Sequence, residues 1–333
     1  MKLKWLVAVV VLALLMGSSG FAATIGTWFG APAGDVNHPV AGTGSWKDAF
    51  WSKEGIHLPP APSGNSDEIK ITRANTVCTI DSNVGNYICK LSLSGGADAA
   101  TAPRLEVATG GYLGIGEFRI GSGGSSGTGT IAYVNQTGGT VSLADNLMIG
   151  RSGNSDSNPN NGKGYYTISG GAITYAQTNS RATLYVGGVG NNSPSEGTFT
   201  VAGSTANISL RKLYVGSDGM RTGGTGTLEF KIGSTGVSPI YLSDAGSIIL
   251  DNKGADSTAK LVVSLTAAPP AGDILLVENA AKGAVSGTFD TVNGNPAPEG
   301  DPVVLNAGGV DYKYALTYRG GAGGNDIVLL RAP

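Results

Sequence analysis

The sequence predicts an all-β chain folded as a right-handed, three-sided parallel β-helix. Three observations carry that prediction. A short phrase of apolar, variable, β-branched and Gly residues recurs four times, as Phe118-Arg119-Ile120-Gly121, Leu147-Met148-Ile149-Gly150, Leu184-Tyr185-Val186-Gly187 and Leu213-Tyr214-Val215-Gly216. The closing glycines stand 29, 37 and 29 residues apart, which is a repeat of solenoid length. Gly supplies 54 of 333 residues, more than twice the usual ~7%, in a chain that is still 41% hydrophobic. Many turns between short β-branched strands account for both figures, whereas disordered chains are poor in apolar residues.

The elements follow in chain order. Met1-Lys2-Leu3-Lys4 is a short positive segment, Leu6 to Met16 an apolar run, and Gly20-Phe21-Ala22 a small-x-small exit. This reads as a secretory signal peptide over residues 1–22, cut after Ala22. The apolar run is shorter than the ~20 residues that a spanning helix needs. Residues 23–100 are assigned to an N-terminal cap and the first coils. The cap, Thr24 to Pro62, reads as irregular and holds every tryptophan beyond the leader: Trp28, Trp46 and Trp51.

Residues 101–256 form the repeat solenoid. Each Gly-closed phrase is joined by two others. Tyr133-Val134-Asn135-Gln136-Thr137-Gly138-Gly139 is matched by Tyr165 to Gly171 and by Thr198 to Ser204. Thr140-Val141-Ser142 is matched by Ala172-Ile173-Thr174 and Asn207-Ile208-Ser209. One repeat therefore holds three short strands and three turns. One repeat alone has too few apolar residues for a core, and stacking solves this. Phe118, Leu147, Leu184 and Leu213 then form one interior column, and Ile120, Ile149, Val186 and Val215 the next. The extra residues of the long repeat, Ser152 to Lys163, have the composition of a surface loop. Residues 257–333 read as β-rich strands that close the C-terminal end, where an open sheet edge would invite aggregation.

At this point the chain resembles a loose family of bacterial secreted repeat proteins. It is similar to autotransporter passenger segments with autotransporter-associated β-strand repeats, and to repeat-rich exported proteins of planctomycetes. The residues that carry the resemblance are Gly44-Ser45-Trp46 with Trp51-Ser52 and Pro59-Pro60, the phrase Asn135 to Gly139, the four Gly-closed phrases, and the ending Tyr314-Ala315-Leu316-Thr317-Tyr318 to Gly324-Asn325-Asp326-Ile327-Val328-Leu329. The resemblance implies a β-helix at the cell surface or in the extracellular matrix. The ending Leu329-Leu330-Arg331-Ala332-Pro333 reads as neither a hydrophobic tail nor a sorting signal.

Charge and chemistry narrow the function. Removing residues 1–22 takes Lys2 and Lys4 and leaves 20 basic against 24 acidic residues, a net of −4. That balance disfavours nucleic acid as a partner. The two cysteines, Cys78 and Cys89, are expected to form a disulfide, an even count in an exported chain. Cys78 shares a strand face with Ile80, and Cys89 shares one with Leu91 and Leu93, so strand alternation points both thiols inward. Such a bridge contributes about 3 kcal/mol, and two buried free thiols are the other reading of the same positions.

His38 and His57 are the only histidines, and Asp218, Glu229, Asp244 and Asp251 are scattered. No nucleophile elbow or metal-ligand spacing is present, so neither catalysis nor a cofactor is expected; a polysaccharide-active β-helix enzyme, with acidic and basic groups gathered on one face, is the third reading. Gly320-Gly321-Ala322-Gly323-Gly324-Asn325-Asp326 approaches a calcium-binding nonapeptide but is a single copy, and reads as a turn.

The sharpest functional residues are aromatic. Tyr185 and Tyr214 occupy the outward position of adjacent phrases, and with Trp46 and Trp51 they are candidates for contact with sugar rings. The opposing reading is a tyrosine ladder that packs the sheet face. The sequence therefore points to a secreted, non-catalytic structural or adhesive solenoid. Its partners would be cell-envelope or extracellular polysaccharide, or further copies of itself.

Overall fold

The computed structural model describes residues 25–28, 43–45, 51–53, 56–58, 64–72, 75–83, 88–122, 130–151, 162–175, 181–189, 195–216, 224–250, 257–280 and 283–333. Among these residues every regular element is a β-strand, and none is a helix long and apolar enough to cross a membrane. The strands build one 16-stranded and one 10-stranded sheet, and the chain alternates between them once per coil.

Each central coil has three faces. The first lies on the 10-stranded sheet and holds Arg104–Val107, Thr130–Gln136, Gly162–Ile168, Glu196–Ala202, Thr225–Ile232 and Thr258–Leu265, every neighbouring pair parallel. The second and third faces share the 16-stranded sheet. Thr140–Leu143 stacks on Gly171–Tyr175 to make the second, and Leu147–Arg151 stacks on Thr183–Val189 to make the third. Ala206–Val215 and Ile240–Leu250 each run through both faces.

The register is the one that the three phrases dictate. Tyr133 pairs with Tyr165, and Tyr165 with Thr198. Thr140 pairs with Ala172, and Ala172 with Asn207. Phe118, Leu147, Leu184 and Leu213 are successive partners. Because strand side chains alternate, one register puts the aligned apolar columns of the phrases inside. The interior columns are almost wholly excluded from solvent: Leu105, Val134, Tyr166, Phe199, Leu228 and Leu261 on the first face, and the phrase leucines and Phe118 on the third.

Glycine sets how closely the third face meets the first. Gly150, which closes a phrase, has φ +71°, a conformation open to residues without a Cβ. Opposite it, a Cβ on Gly197 would lie 2.1 Å from the Ile149 carbonyl oxygen and 2.3 Å from the Gly187 nitrogen, both backbone atoms. Gly164 and Gly226 meet the same backbone on neighbouring coils, so the edge of the solenoid is an interleaved glycine column.

Gln136 is a polar residue in an interior column. It stands between Val107 and Ile168, and its Oε1 accepts a 2.6 Å hydrogen bond from the Tyr166 hydroxyl. Its Nε2 donates to the carbonyls of Ala172 and Gly139, at 3.0 and 3.3 Å. The amide is thereby satisfied in the dry interior, which such a group requires.

The ends close differently from the middle. At the N-terminal end, Thr43–Ser45 pairs parallel with Val77–Ile80, and Ile25–Trp28 pairs parallel with Gly64–Ile71 and antiparallel with Trp51–Lys53. At the C-terminal end the parallel order continues through Ile274–Asn279, although Ile248-Ile249-Leu250 has lost the closing glycine. The sheet then turns antiparallel through Asp326–Arg331, Val310–Gly320 and Pro302–Ala307. The 10-stranded sheet is finished by two short strands, Thr291–Val292 parallel to Thr258–Leu265 and Asn295–Pro296 antiparallel to Thr291–Val292. Just past Val292, the Asn293 side chain accepts from Val263 N at 2.8 Å and donates to Val263 O at 2.9 Å, extending that pairing by one position.

Candidate functional site

The outward positions of each face form columns along the solenoid axis, one residue per coil. On the third face the register gives Arg119, Met148, Tyr185, Tyr214 and Ile249, all half-buried. The Tyr185 and Tyr214 rings are stacked, with centroids 5.1 Å apart and planes 22° apart. That separation is close to the ~4.8 Å between paired strands. The rings therefore lie face to face along the axis, each covering one face of the other, and turn their edges outward.

The first face carries a second stack that the sequence reading passed over. Tyr133 and Tyr165 lie 4.8 Å apart at 15°, and the Arg104 guanidinium sits 4.7 Å from the Tyr133 ring centroid. The signal was available, because both tyrosines open the same phrase. Beside them runs a polar ladder. Asn135 donates to Glu106 at 3.0 Å, Thr200 donates to Glu229 at 2.7 Å, and Lys163 pairs with Glu196 at 2.8 Å. The bond to Glu196 raises the Lys163 pKa above its usual value.

Of the other sequence candidates, Trp46, His38, Asp218 and Asp251 lie outside the described residues, as does the 1–22 leader. Trp51, His57 and Asp244 are placed by backbone alone, with Trp51 opposite Trp28 and Leu58. The Gly320 to Asp326 segment is a hairpin turn. Asp326 Oδ1 accepts from Asn279 N at 2.8 Å, so that carboxylate ties the last strand to the second face.

The expected disulfide is corrected: Cys78 and Cys89 are both free thiols. Cys78 points into the core as expected, and burial with the nearby Asp81 charge pushes its thiol pKa up. Cys89 does not share its side of the sheet. Ile88 and Leu91 are both buried, and they pair with Ile115 and Phe118. Two residues stand between these inward positions instead of one, because the chain turns a corner from the second face to the third there. The turn shifts the alternation and leaves Cys89 on the outer side.

That corner holds a groove of about 320 Å³, lined by Cys89, Lys90, Gly116, Glu117, Ala144, Asp145 and Arg181. Successive coils build it. Lys90 is the register partner of Glu117, and Asp145 N donates to Gly116 O at 3.0 Å on the next coil. Glu117 is paired with Arg119. Asp145 Oδ2 lies 3.4 Å from Arg181, while Asp145 Oδ1 is buried without a hydrogen-bond partner among the described residues.

Comparison with protein-family models, with curated proteins and with solved structures finds no match for this chain.

Proposed function

We propose that the chain is a secreted, non-catalytic β-solenoid that serves as a structural or adhesive element outside the cell or on its surface. The observation that carries this reading is the use made of the outward side chains. Tyr133 stacks on Tyr165 and Tyr185 on Tyr214, so these rings spend their faces on the coil above or below. Asn135, Thr200 and Lys163 likewise bond sideways to the neighbouring coil. Each such cross-strand pair contributes about 0.2–1 kcal/mol. Summed along the axis they stiffen a rod, and a rod repeating weak contacts along one face gains avidity without any strong single site.

A sugar-binding platform needs the ring faces open to solvent, whereas here the ring edges are presented. The test is a binding screen of residues 23–333 against a panel of glycans and cell-wall polymers, with the Tyr185→Ala/Tyr214→Ala double variant in parallel. The scaffold reading predicts that the double variant melts at a lower temperature and keeps whatever polymer binding the parent has. Polymer binding lost in the variant with its circular dichroism and melting unchanged would replace the scaffold with a glycan-binding module.

A further inference from the structure

The groove at the corner between the second and third faces is not used by the ladders, and its chemistry is specific. Lys90 and Arg181 bring positive charge, and Glu117 and Asp145 bring negative charge, within one depression of about 320 Å³. The lining is thus balanced, which favours neither an anion nor a cation. It offers donors beside acceptors, the pattern that a hydroxyl group answers, since each hydroxyl both donates and accepts. Asp145 lines the groove, and its Oδ1, buried behind that lining, lacks a donor among the described residues, a situation that costs about 1–3 kcal/mol until a small shift of the side chain brings it a ligand hydroxyl or water. The volume lies at the low end of small-molecule sites, which suits one sugar unit rather than a chain of them.

From this juxtaposition of two cations, two carboxylates and an unsatisfied buried carboxylate oxygen, we infer that the corner groove binds a neutral saccharide unit, with Asp145 and Glu117 accepting from its hydroxyls and Lys90 and Arg181 donating to them. This goes beyond the scaffold reading, which rests on the ladders and stands or falls separately.

Cys89 lines the groove and gives a direct readout, with the core thiol of Cys78 as an internal reference. The experiment measures the rate at which iodoacetamide modifies Cys89 in the full chain, together with saturation-transfer NMR. The probes are the methyl glycosides of glucose, galactose, mannose and N-acetylglucosamine, with sodium sulfate and glycine as anionic and zwitterionic comparators. The expected result is that at least one glycoside gives a transfer signal and slows Cys89 modification at least twofold. Asp145→Asn weakens that glycoside at least tenfold, Glu117→Gln weakens it in the same direction, and Tyr185→Ala/Tyr214→Ala leaves the affinity unchanged. The Glu117→Gln variant keeps the test open if Asp145→Asn fails to fold. Protection by sulfate or glycine alone overturns the inference, as does protection by no glycoside, or full affinity in both carboxylate variants.

Discussion

Tyr166 shows what a single interior side chain contributes. Its ring fills the first-face column against Phe118 and Phe199, with centroids 6.3 and 5.5 Å away, and its hydroxyl satisfies Gln136. A phenolate there would lose hydration and face the Gln136 oxygen, so burial drives the Tyr166 pKa upward. Tyr318 is driven the same way, first by burial and then by the charges of Glu299, Asp290 and Asp301, opposed by its bond from Phe289 N. The sign of the consequence follows from linkage. In the unfolded chain these tyrosines ionise near pH 10, and in the folded chain they hold their protons. Their contribution is complete below about pH 10 and is lost as pH rises above it. Each tyrosine adds a slope of about 1.4 kcal/mol per pH unit. Denaturant unfolding between pH 8 and 11 is expected to show stability falling from about pH 9, where the Cys78 thiol of the unfolded chain ionises, and more steeply beyond about pH 10, and Tyr166→Phe is expected to make the later fall shallower. An unchanged slope in that variant would remove Tyr166 from the account.

At the scale of the coil, the glycine corner is the demanding part. Gly197→Ala adds a methyl group 2.1 Å from a backbone oxygen and 2.3 Å from a backbone nitrogen, and neither atom can rotate away. The third and first faces must separate there, and overpacking of this kind costs about 1–3 kcal/mol or more. Thermal melting is expected to show a larger loss for Gly197→Ala than for alanine at Gly203, where a Cβ meets nothing within 4 Å and only the strain of a φ of +77°, about 1–2 kcal/mol, is felt. Equal losses at the two sites would show that backbone conformation, not close approach, governs the corner.

The coil also shows what could be read in advance and why the rest could not. The three phrases were legible because alternation and a glycine stop leave a mark on every copy, and their alignment gave the register residue for residue. Cys89 was misplaced because alternation holds only along a straight strand. The corner between Ile88 and Leu91 adds a residue without any Gly or Pro to announce it. The groove was illegible for the same reason, since Lys90, Glu117, Asp145 and Arg181 are brought together only by stacking across coils. Tyr133 and Tyr165 were legible in principle, being aligned copies of one position.

For the whole molecule, the stack is a sum of such neighbour terms, as in other solenoids. At the C-terminal end both sheets switch to antiparallel strands, three long ones on the larger sheet and one two-residue pair, braced by the Asn293 amide, on the smaller. Between the ends, stacked and hydrogen-bonded outward side chains brace neighbouring coils, Tyr185 on Tyr214 and Tyr133 on Tyr165 among them. A double-mutant cycle on Tyr185 and Tyr214 tests that claim most directly, with the free energy of unfolding measured for the parent, Tyr185→Ala, Tyr214→Ala and the double variant. Bracing predicts a favourable coupling of about 0.5–1.5 kcal/mol between the stacked rings. Additive losses, with a coupling indistinguishable from zero, would contradict it.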